Sequence, residues 1–154
     1  QVPVRCEINP SFIEDSRLRL SLYRKISSCK NENQLETIHQ EMQDRFGEIP
    51  ADTENLFWVI RLKNLLKKVG VEGVSIQAQK TALTVKKQTL VDPDEVMKLY
   101  VGPKGVRDPR FTVTPDSKIV LNLEFINLQS HLFELEALFR KIAPKSFENL
   151  ARSD

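Results

Sequence analysis

Only two histidines, His39 and His131, are available for acid–base or metal chemistry. His39 closes the run Glu36-Thr37-Ile38-His39, a Glu-x-x-His spacing that puts carboxylate and imidazole on one helix face. Bundle metal sites use that pair twice. This chain has a single copy, so an exposed helix histidine is the expectation. His131 falls beside an apolar stripe and reads as a rim residue. Neither Cys6 nor Cys29 has a His neighbour in sequence, and their separation suits neither a zinc knuckle nor a redox motif. A metal or thiol enzyme built on His39 or Cys29 would need a partner brought in by folding. Gly102-Pro103-Lys104-Gly105 is glycine-bearing and basic, yet it lacks the Lys-Ser/Thr ending of a phosphate loop and reads as a turn. No catalytic residue, cofactor or metal site is expected.

Charge is the other resource. The net charge is +2, but residues 1–60 are net acidic and residues 61–110 net basic. Lys63, Lys67, Lys68, Lys80, Lys86, Lys87, Lys98, Lys104, Arg107 and Arg110 fall in the basic stretch. Converging on one face, they would make a salt-dependent phosphate-binding surface. The alternative function is therefore a nucleic-acid-binding module using the basic 61–110 segment. Few aromatics interleave these cations, and no nucleic-acid fold motif accompanies them. Basic residues in the last turn of a helix also suit its dipole.

The elements that position these groups follow from period and punctuation. Val2, Val4 and Cys6 alternate, predicting a short strand over 2–8. Leu18, Leu22 and Ile26 predict a helix over 16–29 capped by Asp15 or Ser16. Leu35, Ile38, Met42 and Phe46 predict a second over 33–46, ended by Gly47 in a left-handed cap. A third, over 52–69, carries Leu56, Val59, Ile60, Leu62, Leu65, Leu66 and Val69, with Arg61, Lys63, Lys67 and Lys68 outward. Val74, Ile76, Leu83 and Val85 read as a hairpin. Asp92-Pro93-Asp94-Glu95 starts a short helix. Residues 111–114 and 118–125 read as a second strand pair. Leu128, Leu132, Leu135, Phe139 and Ile142 set a last helix over 127–142, after which the tail from Lys145 is expected to fray. The fold class is α+β: an N-terminal strand and three helices, then a ββαββα unit with a mainly antiparallel sheet. One domain is expected, with a helical half at 9–70 and a sheet half at 71–143.

Composition excludes several classes. The 154 residues are 40% apolar and 29% charged, too apolar for disorder. The longest apolar run, Leu56 to Ile60, is far short of the about 20 residues that span a bilayer. Gln1 to Pro10 shows no secretory pattern, and Pro10 disqualifies Asn9-Pro10-Ser11 for glycosylation. Free thiols fit a cytoplasmic protein. The opening Gln1, where Met would start a chain, suggests a piece of something longer.

Three stretches then carry a resemblance. Arg17-Leu18-Arg19-Leu20-Ser21-Leu22-Tyr23-Arg24-Lys25-Ile26 is similar to an R-L-x-x-Y-[KR]-[KR] helix. Glu41-Met42-Gln43-Asp44-Arg45-Phe46-Gly47-Glu48-Ile49-Pro50 is similar to E-L-x-D-R-F-G-x-x-P. Lys67-Lys68-Val69-Gly70-Val71 follows an A-x-x-L-G-I ending. Together they resemble the C-terminal domain of the bacterial transcription-repair coupling factor, Mfd, most specifically over residues 8–76. Met42 replaces the usual Leu and the Ala before Leu65-Leu66 is missing; neither changes polarity. The resemblance implies a non-catalytic regulatory domain of a DNA-translocating ATPase. It would pack on a UvrB-like module, mask the surface that UvrA needs, and restrain the motor domains. RNA polymerase and DNA would be met through other domains, with no membrane partner. Within the second matching stretch, Glu41, Asp44 and Arg45 fall off the apolar stripe of their helix, which makes them the expected partner-binding residues. Glu41 and Arg45, four apart, could instead pair with each other.

Overall fold

The computed structural model describes residues 1–101, 109–116 and 118–148. The Gly102–Gly105 turn reading, with Lys104 and Arg107, lies outside the described residues. The chain divides into two compact units, Val4–Asn64 and a second that joins Gln1–Pro3 to the residues from Leu65 on.

The first unit is helical. Helix α1 spans Ser16–Ser27, and the Asp15 side chain caps it by accepting from the Arg17 and Leu18 amides. Helix α2 spans Glu32–Phe46 and α3 spans Ala51–Val69, the last turns of α3 belonging to the second unit. Leu22 and Ile26 of α1, Leu35 and Met42 of α2, and Leu56, Phe57 and Ile60 of α3 join one buried cluster. Phe57, absent from the expected stripe of α3, is fully buried. Burying such a side chain is worth roughly 1.5–3 kcal/mol.

Residues 2–8 do not form the expected strand. Their alternation is real, since Val2, Val4, Cys6 and Ile8 are all at least half-buried. The backbone groups of this segment pair elsewhere. The Glu7 amide donates to the Asp52 carbonyl, the Thr53 hydroxyl donates to the Glu7 carbonyl at 2.9 Å, and the Ile8 amide donates to the Tyr23 hydroxyl at 2.6 Å. A buried backbone must be satisfied, and here the first turn of α3 offers the partners that a sheet would have offered. Pro3 also removes one ladder donor.

Gly47 ends α2 with φ 87° and ψ −160°. That differs from the expected left-handed helical cap and lies in a region open essentially to glycine alone. The Gly47 amide still closes on the Gln43 carbonyl at 2.9 Å, and three residues later the Pro50 carbonyl accepts from the Thr53 and Glu54 amides of α3.

The second unit holds a four-stranded antiparallel sheet in the order β1-β2-β4-β3. Strands β1 (Val71–Ile76) and β2 (Thr81–Val85) form the first hairpin, β3 (Phe111–Val113) and β4 (Ile119–Leu121) the second. Helix α4 (Pro93–Val101) links them, and α5 (Leu128–Ile142) follows, capped by the Asn127 side chain. Thr81, Leu83, Phe111, Ile119 and Leu121 stand in register and are buried, as are Leu128, Leu135, Phe139 and Ile142 of α5. His131, expected at a rim, is buried in this core. Its Nε2 is 2.6 Å from the Thr81 hydroxyl and its ring packs on Phe125. Nor does the tail fray directly after Lys145. Pro144–Ser146 make a 3-10 turn, and the Phe147 ring lies beneath both Lys68 and Arg140, 4.4 and 4.5 Å from its centre. Desolvation and the Arg140 charge hold the Lys68 ammonium below its ordinary pKa.

Two outcomes follow from this packing. Gly47→Ala should cost about 1–3 kcal/mol in denaturant unfolding although nothing obstructs a Cβ there, because the cost is conformational. Gly70→Ala should cost at least as much, since φ is +77° and a Cβ would sit 2.7 Å from Thr89 Cα. Burial lowers the pKa of His131 from its ordinary 6.5, against a weaker opposing pull from Glu134. The unfolded chain then takes up the proton first, so this histidine's contribution to stability is complete above about pH 6.5 and is lost as pH falls. Stability curves of the wild type and His131→Gln should diverge on acidification, by at most about 1.4 kcal/mol per pH unit. Parallel curves would exclude His131 as the source.

Candidate protein-interaction site

Helix α2 is started by side chains on both sides of its first turn. Asn31 accepts from the Gln34 amide at 2.9 Å, and the Gln34 side chain accepts from the Lys30 amide at 2.7 Å. Leu35 and Met42 are each 1% exposed and fix the inner face, with Ile38 and Phe46 half-buried beside them. With that face sealed, helical geometry turns the remaining positions to solvent.

Glu41, Asp44 and Arg45 are all exposed on that outer face. Asp44 Oδ1 accepts from the side-chain Nε2 of Gln40 at 2.8 Å. The Arg45 guanidinium sits 5.1 Å from the Phe46 ring centre, and Phe46 meets Phe12 edge to face. Among the described residues, no ion pair joins Glu41 to Arg45, so the intrahelical pairing their spacing permits is not made. Glu41 and Asp44 share a shallow open depression with Asn33, Glu36, Thr37 and Gln40. On its other side Glu41 borders a groove between α1 and α2 lined by Lys25, Ser28 and Ile38, with Cys29 buried below. The surface presents carboxylates in water beside side-chain amides and hydroxyls, which can recognise cations and hydrogen-bond donors.

The other candidates are engaged structurally. His39 is not an exposed surface residue. Its Nε2 is 2.7 Å from Glu54 Oε1 and its ring edge meets buried Phe57, so it ties α2 to α3. Its carboxylate partner is Glu54, on the next helix, and no sequence spacing announces that pair. No group of three or more metal-ligating side chains occurs among the described residues. Burial pushes the Cys29 thiol above its ordinary pKa, and burial with the Asp52 charge does the same to Cys6. Both are poor nucleophiles at neutral pH.

Several cations of the 61–110 stretch, Arg61 included, have partners within the fold. Arg61 makes a forked contact with Glu32, its Nη2 2.7 Å from Oε1 and its Nε 2.9 Å from Oε2, and lies over Trp58. Lys68 covers Phe147, Lys98 pairs with Glu95, and Arg110 stands 3.9 Å from Glu134. Lys63, Lys67, Lys80, Lys86 and Lys87 are divided between α3 and the first hairpin.

A family model described as the TRCF domain matches residues 2–96. Similar curated relatives include the transcription-repair-coupling factor of Helicobacter pylori, 35% identical over 98 residues, and that of Escherichia coli K12, 43% identical over 60. These alignments cover 62% and 39% of this chain and 10% and 5% of the relatives, so the chain spans about a tenth of their length or less. The crystal structure of a C-terminal domain of transcription-repair coupling factor has the same fold, with a TM-score of 0.73 at 19% identity, covering 100% of this chain and 95% of that one. With sequence and fold in agreement, the chain belongs to the TRCF-domain family, the C-terminal domain of the bacterial transcription-repair coupling factor.

Proposed function

We propose that this domain is a non-catalytic regulatory clamp in a cytoplasmic transcription-coupled repair protein. It packs on the UvrB-like module of the same chain, masks the surface that UvrA needs, and restrains the ATP-driven motor domains. Contact with RNA polymerase and DNA belongs to other domains. Glu41, Asp44 and Arg45 form the contact, with basic residues of the module facing the two carboxylates.

The observation that carries this reading is the exposed state of Glu41 and Asp44 on a helix whose inner face is sealed. Their charge has no ionic partner among the described residues. Their positions lie in the stretch most specific to the family. A clamp must open, and a polar, salt-sensitive contact suits opening better than a large apolar one. The engagement of Arg61, Lys68, Lys98 and Arg110 within the fold weighs against the basic segment as a nucleic-acid surface.

Calorimetric titration with the separately produced UvrB-like module tests the reading. Affinity should fall between about 50 and about 300 mM salt, as screening shortens the reach of exposed charges. Glu41→Ala with Asp44→Ala should weaken binding about tenfold, equivalent to about 1.4 kcal/mol, and should flatten the salt dependence. An unchanged affinity in the double variant would remove these residues from the contact.

A further inference from the structure

The sheet of the second unit has two unlike edges. β3, at one end of the order β1-β2-β4-β3, is three residues long, and so short an edge offers little to pair with. β1, at the other end, is six residues long. Its open side already holds one residue. The Gln1 nitrogen donates to the Val74 carbonyl at 3.0 Å, and the Gln1 carbonyl accepts from the Ile76 amide at 2.9 Å. Donating to the residue before Ser75 and accepting from the residue after it is the pattern of a parallel ladder. Downstream the ladder stops at Pro3, which has no N–H to give the Ile76 carbonyl. Upstream, nothing in β1 stops it at Val74. In an extended strand a residue's N–H and C=O point to the same side, so the Val74 N–H faces the same open edge as its carbonyl. No partner stands opposite it there among the described residues.

We infer that the stretch of the longer chain leading into Gln1 lies on this edge as a fifth strand, parallel to β1. The inference rests on the reading that the domain is one part of a longer protein, of whose Helicobacter pylori relative the matched region is 10%. It does not rest on the contact made by Glu41 and Asp44. Gln1 fixes the register: the carbonyl two residues upstream of it accepts from the Val74 amide. The strand is short, because the irregularity of β1 between Val71 and Gly73 breaks the ladder beyond that point. A strand from another molecule could approach an open edge in either direction. The two bonds at Gln1 commit this edge to a parallel strand that continues into Gln1 itself. The sheet unit is thereby tied by backbone hydrogen bonds to the part of the protein that precedes it, independently of what the polar face of α2 holds.

Amide hydrogen exchange, read residue by residue by NMR, tests this on two proteins: the chain starting at Gln1, and the same chain lengthened by about ten of its own preceding residues, enough for a strand. In the first, the Val74 amide should exchange as an open edge does. In the second it should slow about tenfold or more, the protection a backbone hydrogen bond gives against local opening. The amides of Leu83 and Phe139, both fully buried, should keep their rates. Gln1→Pro in the lengthened chain removes the donor to Val74 and should return the Val74 amide to fast exchange, with unchanged core rates showing the sheet intact. Equal Val74 rates in the two chains, or protection that survives Gln1→Pro, would overturn the inference. So would protection in the shorter chain that grows with protein concentration, because the edge would then belong to a second copy. None of these results moves with Glu41→Ala and Asp44→Ala, so the strand and the clamp can fail separately.

Discussion

Everything exposed on α2 depends on what that helix buries. Leu35 and Met42 are excluded from water together with Phe57 of α3 and Leu22 and Ile26 of α1. A helix anchored at two positions two turns apart cannot rotate about its axis without exposing both. Each buried aliphatic side chain is worth a few kcal/mol, a large part of the roughly 5–15 kcal/mol by which a domain is stable. The outward direction of Glu41, Asp44 and Arg45 therefore follows from the core and not from any contact those residues make themselves.

Around that core, polar groups do the joining. His39 with Glu54 and Arg61 with Glu32 tie α2 to α3 at two levels. Thr53 and Tyr23 receive the extended segment before α1. Gly47 allows the tight exit from α2 that this arrangement needs, through a backbone conformation closed to residues with a Cβ. Residues that read as candidate metal ligands or phosphate contacts thus hold the structure. Surface cations that complete a fork or cover a ring have less freedom to meet a phosphate, and a half-buried histidine with a carboxylate partner has one acceptor already in place.

The two units separate tasks. The helical unit presents an acidic, hydrophilic surface on α2. The sheet unit closes its own core with α5 and with buried His131, and the Phe147 tail is retained by two cations. Its outer helix face keeps Phe133 in water.

Much of this was legible in the residues alone. The periods of Leu22 and Ile26, of Leu35 and Met42, and of Leu135, Phe139 and Ile142 placed the helices, because burial of one face imposes a spacing that survives in sequence. The Asp15 cap, the Asp92-Pro93 start and the antiparallel hairpins were equally local. The outward position of Glu41, Asp44 and Arg45 followed from the same periodicity, whereas their relevance to binding came from the resemblance of the surrounding stretch. What sequence reading missed was settled by groups far apart in the chain. Residues 2–8 alternate like a strand, but the partners of the Glu7 amide and carbonyl lie on α3, some 45 residues away, and that of the Ile8 amide is Tyr23 on α1. His39 found Glu54 on the next helix instead of Glu36 on its own, and His131 passed from rim to core because Thr81 of β2 could satisfy it. Outside residues 2–8, the sequence by itself determined which segments are helix or strand and, Phe57 aside, most of the face each one buries, since those are properties of spacing along one element. Only the tertiary structure decided which polar groups face each other, because hydrogen bonds and ion pairs act over about 3 Å and such distances exist only once the elements are packed.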